Sequence, residues 1–196
     1  MSQRTIMVGG VHKGAGKTTL TCFLLDRLPG WGALKVTTTH GGELVGPFMA
    51  VREEGILDQK GTDTWKMGLS GAARVIWLRS TPEALAGALE QVLPEFDDLP
   101  GVVVEGTNVA RHLDGIYVLA ARPPVRKIKP SARATASRAD MLVLNLRPGW
   151  KGGGTELLMQ ELPVFAGDGT LPFRGAEPDA GENQSFLQDL LRRLDQ

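Results

Sequence analysis

An α/β fold is predicted for this chain, with helices covering both faces of a mostly parallel sheet. Three observations predict it. A glycine-rich loop, Gly14-Ala15-Gly16-Lys17-Thr18-Thr19, stands between an apolar run and an amphipathic one. Apolar runs of strand length then alternate with helical patterns along the chain. The length, 196 residues, suffices for one α/β domain with a sizeable core, and residues 1–196 are read as a single domain.

The elements follow in order. Thr5–Val8 is a strand that runs straight into the glycine-rich loop. The loop opens a helix over Thr18–Leu28, whose apolar residues Leu20, Phe23, Leu24 and Leu28 share one face. Leu34–Thr38 is the second strand, Asp63–Leu69 a short helix and Arg74–Leu78 a third strand. A helix over Pro82–Leu93 precedes strands at Gly101–Val104 and Ile116–Ala120. Ser131–Arg138 reads as helix, Met141–Asn145 as strand, Thr155–Glu161 as helix and Pro163–Ala166 as a short strand. The last helix, Ser185–Leu194, repeats apolar residues at Phe186, Leu187, Leu190, Leu191 and Leu194. Gly41–Gly61 and Gly167–Glu182 read as long loops. Such alternation buries a parallel sheet on both faces and collects ligands at the carboxyl ends of its strands.

The glycine-rich loop carries the strongest chemistry. Glycines let backbone N–H groups turn inward and approach an anion, and the helix start adds unpaired donors. Lys17 can reach the outer phosphates and the Thr18 hydroxyl can ligate Mg²⁺. Strand, loop and helix in this order predict a three-layer P-loop NTPase fold, with Gly14, Ala15, Gly16, Lys17, Thr18 and Thr19 binding a nucleoside triphosphate. Val11 occupies the place where the usual loop pattern begins with glycine, so the first turn is expected to be shifted or widened.

Several residues are candidates to act with the loop. Glu105 ends an apolar strand and is followed by Gly106, which suits a Mg²⁺ site or the positioning of water. Asp63 can cap the helix it opens and can equally give the metal a second carboxylate. Lys66 reads as a solvated lysine. His40 follows the second strand, at the end that faces the site, and reads as structural. His12 and Lys13 lie within the loop. Asn145 ends a strand, and its amide suits a purine edge. Leu146 and Pro148 stand where a guanine-reading N-K-x-D motif needs Lys and Asp, so the base is left as GTP or ATP. Arg122 to Arg138 contains six basic residues and no acid, broken by Pro123, Pro124 and Pro130. It reads either as a grip for an anionic substrate or partner, or as a solvated face.

Composition bounds the rest. A formal net charge of zero argues against a general nucleic-acid binder. The single cysteine, Cys22, reads as core filler. Neither a signal-peptide pattern nor a membrane-length apolar run is present, and a cytoplasmic location is expected.

GAGKTTL, the later GTDTWKMGLSGAARVIWL and then VVVEG together resemble the molybdopterin-guanine dinucleotide biosynthesis protein B (MobB) family, over roughly the first two-thirds of the chain. That resemblance implies a GTP-binding, weakly GTP-hydrolysing accessory protein of molybdenum-cofactor assembly, often dimeric. It carries Lys17 and Thr18 over to phosphate and Mg²⁺ and sets Asp63 and Glu105 near the metal. Lys17, stabilising charge on the phosphates, and Glu105, orienting water or completing the metal shell, are the candidate catalytic residues. VVVEG followed by a strand ending in Asn145 also looks like dethiobiotin-synthetase-type ligases. Those activate a carboxylate or carbamate with ATP, and Thr107, Asn108 and the basic stretch would then line a small-molecule site. The expected partners are thus a nucleoside triphosphate and either a small-molecule acceptor or a cofactor-biosynthesis protein, with Mg²⁺ as cofactor.

Overall fold

Strand residues alternate between two cores. Ile6 and Val8 of the first strand pack to one side of the sheet and Met7 to the other. The computed structural model describes residues 4–39, 44–162 and 170–196. Its strands are β1 (Arg4–Gly10), β2 (Gly32–Thr38), β3 (Phe48–Val51), β4 (Val75–Ser80), β5 (Gly101–Glu105), β6 (Ile116–Ala121), β7 (Met141–Asn145) and β8 (Thr170–Phe173). They form one sheet in the order β3-β4-β2-β5-β1-β6-β7-β8. Every pairing is parallel except β3 on β4.

The helices are α1 (Lys17–Arg27), α2 (Glu54–Leu57), α3 (Asp63–Leu69), α4 (Leu85–Val92), α5 (Pro130–Thr135), α6 (Glu156–Glu161) and α7 (Gly181–Leu194). Leu20 and Leu24 of α1, Met67 of α3 and Phe186 and Leu190 of α7 cover one face. Leu85 and Leu89 of α4, Ala132 of α5 and Leu158 of α6 cover the other. Three layers result, as the sequence predicts. β1 lies centrally, with the chain crossing from β5 to β6 on its two sides. The loop after β1 therefore opens at the point where the strand order reverses.

The strand ends lie within two residues of those periodicity indicates, and two strands depart from the prediction. β3 and α2 lie in the stretch expected to be a long loop. The strand expected at Pro163–Ala166 falls outside the described residues, and the far edge is taken by β8 instead. The expected helix over Pro82–Leu93 is α4, followed by a 3₁₀ turn at Leu93–Phe96.

β8 and α7 are joined by a polar bolt. Asn183 is fully buried, accepts from Arg174 N at 2.8 Å and donates to the Glu177 carbonyl at 2.9 Å. Phe173 then meets Phe23 of α1 edge-on, with ring centroids 5.1 Å apart, and Phe186 of α7 at 6.1 Å. Asn183→Leu keeps the bulk and leaves these backbone groups unpaired, so it should lower stability by about 2 kcal/mol. The urea midpoint should fall with an unchanged slope. An unaltered midpoint would show that the bolt carries no stability.

Candidate functional site

The glycine-rich loop is shaped by what flanks it. Val11 is fully buried, donates its N–H to Ala120 O at 2.8 Å and accepts from Lys129 N at 3.0 Å. The chain stays pinned beside β6 for one residue past β1 and turns only later. Positive φ falls at Gly14 (78°) and Gly16 (88°), with no non-glycine residue in that region among the described residues. The turn is shifted, which is why valine is tolerated at position 11. At the start, Gly10 N donates to Thr107 Oγ1 at 3.0 Å.

Close approach explains two further glycines. A Cβ on Gly10 would stand 2.9 Å from Lys17 Cγ, so the Lys17 side chain lies back over the end of β1. A Cβ on Gly16 would stand 1.8 Å from Asn145 Nδ2 and 2.9 Å from the Arg122 guanidinium. Asn145 and Arg122, at the ends of β7 and β6, thus pack directly on the loop. Gly16 gives α1 no side-chain cap, so the first N–H groups of the helix, at Lys17, Thr18 and Thr19, are open to an anion. Gly14 has open space around it, and Ala15 is buried with its N–H on His12 O at 3.3 Å.

The charged centre lies one strand away. Glu105 ends β5 with its side chain wholly buried. Its Oε1 is 2.7 Å from Lys35 Nζ and 3.7 Å from Lys17 Nζ. Lys35 stands opposite Glu105 in register on β2, and its Nζ also reaches Asp63 Oδ2 at 2.5 Å. Lys35 is thus the hub of two carboxylates that the sequence reading assigns to the metal, and that reading passed over it. Asp63 is not the helix cap. Thr62 caps α3, its hydroxyl accepting from Trp65 N at 3.2 Å, and this leaves Asp63 free for Lys35 and the Thr18 hydroxyl.

The charges support one another. Burial works against the Lys35 ammonium, but the Glu105 and Asp63 carboxylates outweigh it and hold the pKa above the ordinary lysine value. Burial likewise disfavours ionised Asp63, and the Lys35 ammonium, the Thr18 hydroxyl and the Lys66 charge outweigh it and hold its pKa low. Glu105 Oε2 is buried with no hydrogen-bond partner among the described residues. Thr18, Asp63 and Glu105 offer hard oxygen donors of the kind Mg²⁺ takes. Among the described residues no group of three or more His, Cys, Asp or Glu is assembled.

Cavities open on both sides of the loop. One, of about 250 Å³, is lined by Lys17, Lys35, Thr38, Glu105, Asn108 and Lys129. Asn108 is held there by its Nδ2, which donates to Thr38 Oγ1 at 3.0 Å. A second, of about 280 Å³, is lined by Thr19, Arg122, Asn145, Arg147 and Gly175. Asn145 Nδ2 and Arg122 Nε are buried there without partners among the described residues. A third, of about 560 Å³, runs along the outer side of α1 past Cys22, Phe23, Lys66 and Phe173. Cys22 is half-buried and packs against the core on the α1 side, and burial pushes its thiol pKa up. Lys66 is exposed, and His40 lies outside the described residues. Among the described residues no helix is long and apolar enough to cross a membrane.

No family model and no curated protein sequence matches the chain. Solved structures do match its fold. LpxK from Aquifex aeolicus, solved in complex with ATP, is 19% identical with a TM-score of 0.52, over 88% of this chain and 54% of its own. The chain thus spans about half the length of that protein. HypB from Helicobacter pylori, solved in complex with nickel, is 12% identical with a TM-score of 0.57, over 98% of this chain and 87% of its own. The fold is that of the P-loop NTPases.

Lys35→Met leaves a buried carboxylate with only the more distant Lys17, and should cost about 3 kcal/mol. Adding Glu105→Gln should recover part of the loss. Because its folded pKa is held low, Asp63 stabilises the fold above its unfolded pKa, and that support is lost as pH falls below about 4. Denaturation at pH 7 and pH 3 should show a shallower acid loss for Lys35→Met than for the parent. Equal pH dependence would deny the Lys35–Asp63 coupling.

Proposed function

We propose that this chain is a Mg²⁺-dependent enzyme that binds a purine nucleoside triphosphate, ATP or GTP, and transfers or slowly hydrolyses its terminal phosphate. The observation that carries the reading is the convergence of Lys17 and Lys35 on the buried Glu105 beside an uncapped glycine-rich loop. Lys17 and the N–H groups opening α1 would bind the outer phosphates. Thr18, Asp63 and Glu105 would hold Mg²⁺, whose charge supports phosphoryl transfer by neutralising the phosphate oxygens. Lys35 pairs with both carboxylates and holds them in place. Asn145 and Arg122 would meet the nucleotide from the far side of the loop, Asn145 at the purine edge. Catalysis of this kind rests on positioning and electrostatics.

Two fuller readings differ in the second participant. The resemblance to the MobB family supports a cytoplasmic, dimeric accessory protein of molybdenum-cofactor assembly that uses GTP. The cavity of about 250 Å³ beside Glu105 favours the other, an ATP-dependent kinase or ligase acting on a small molecule, because Thr37, Thr38, Thr107 and Asn108 give it a polar, ordered lining. Turnover accelerated by a small acceptor supports the second reading; nucleotide-dependent complex formation supports the first.

A thermal-shift series with ATP and GTP, each with and without Mg²⁺, should show Mg²⁺-dependent stabilisation. By calorimetry, Lys17→Ala should bind triphosphate about 100-fold more weakly, from the loss of a charge-assisted contact. Equal affinity would overturn the nucleotide reading.

Asn145→Ala separates base from phosphate. It should weaken the preferred purine nucleotide about tenfold and leave inorganic tripolyphosphate unchanged. A parallel loss for both ligands would make Asn145 a prop for Gly16 and nothing more.

A further inference from the structure

The acid-free stretch after β6 is a built surface. Val125 and Ile128 are buried in the core, and Val125 N donates to Gly154 O at 2.7 Å. Lys129 N is held by Val11 O. Between these anchors Arg126 and Lys127 are forced outward and are exposed. With His12, Lys13, Pro124 and Lys129 they line a cavity of about 460 Å³ beside the glycine-rich loop. His12 fixes the wall between loop and stretch. Its Nδ1 is 2.8 Å from Lys13 O, and its Nε2 accepts from Arg122 N at 3.2 Å.

The lining of this cavity concentrates positive charge and includes no acid. Among the described residues no carboxylate forms an ion pair with Lys13, Arg126, Lys127 or Lys129. Lys129 bears the cost. Burial, with the nearby Lys17 charge adding to it and the Glu105 charge opposing it, pushes its ammonium down to about 8. Like charges held together on an ordered wall repel, and a bound anion relieves that repulsion. Lys129 also lines the smaller cavity at Glu105, so the two cavities share one wall.

We propose that the cavity formed by Lys13, Arg126, Lys127 and Lys129 binds an anionic group, phosphate or carboxylate, of a small acceptor whose hydroxyl or amine reaches the Glu105 cavity. This rests on the phosphoryl-transfer reading. In the transfer, the acceptor oxygen or nitrogen bonds to the terminal phosphorus as the bond to the β–γ bridging oxygen breaks. The electron pair leaves on the nucleoside diphosphate, and the acceptor proton passes to water. Recognition at a site remote from the reacting atom supplies orientation.

Calorimetry tests the assignment. Orthophosphate and succinate are titrated separately into the protein saturated with AMPPNP and Mg²⁺, and into nucleotide-free Lys17→Ala protein. One equivalent of orthophosphate or of succinate should bind in both, and which one binds tells phosphate from carboxylate. Arg126→Gln/Lys127→Gln should weaken it about tenfold or more, with AMPPNP affinity within about threefold of the parent. Near pH 8, anion binding should draw a proton onto Lys129, read from heats in buffers of different ionisation enthalpy, and Lys129→Met should abolish that uptake. No binding of either anion, or equal binding by the double variant, overturns the proposal. Failure of AMPPNP to bind the parent overturns the nucleotide reading alone, and the nucleotide-free arm still decides the anion site.

Discussion

A carboxylate with no exposure to water must be answered by positive charge, and much of the site follows from that demand. Glu105 sits at the carboxyl end of β5, with Lys35 on the neighbouring strand and Lys17 on the loop. Removing such a group from water costs several kcal/mol unless partners compensate it. Lys35 must therefore be ammonium and must stay at the strand end. Its second contact, to Asp63, fixes the start of α3 against β2. One buried acid thus ties two strands and two helix starts into a single geometry.

The loop is held from outside. Val11 is pinned between β6 and the backbone of Lys129, Gly10 is locked to Thr107, and Gly16 is covered by Asn145 and Arg122. The turn itself is two glycines long. The donors at the start of α1 carry no side-chain cap. Preorganised donors of this kind need little rearrangement when charge arrives.

The layered sheet was legible because period-two and helical patterns extend over whole elements such as β1 and α7. β3 and β8 were not. Each is four residues long, and Pro172 within β8 reads against a strand, although an edge tolerates it. In the candidate site, Lys17, Thr18, Glu105 and Asn145 stand out in the sequence by their place after strands. Lys35 did not, since a lysine inside an apolar run reads as a solvent-facing residue and its partners lie 28 and 70 positions away. Thr62 and Asp63 are both good caps, and only the fold decides which one turns inward. Asn145 was legible as a polar strand end, whereas its packing against Gly16 depends on the crossing of β7 past the loop.

The rims of the sheet have a consequence of their own. An open sheet presents two rows of unpaired donors and acceptors to any passing chain. Here one rim is β3, a four-residue strand running against its neighbours, and the other is β8, where Pro172 removes a donor. A foreign strand would find only a few ladder bonds at either rim. The eight-stranded core therefore resists growth by strand addition at both ends, by brevity at one and by a missing N–H at the other.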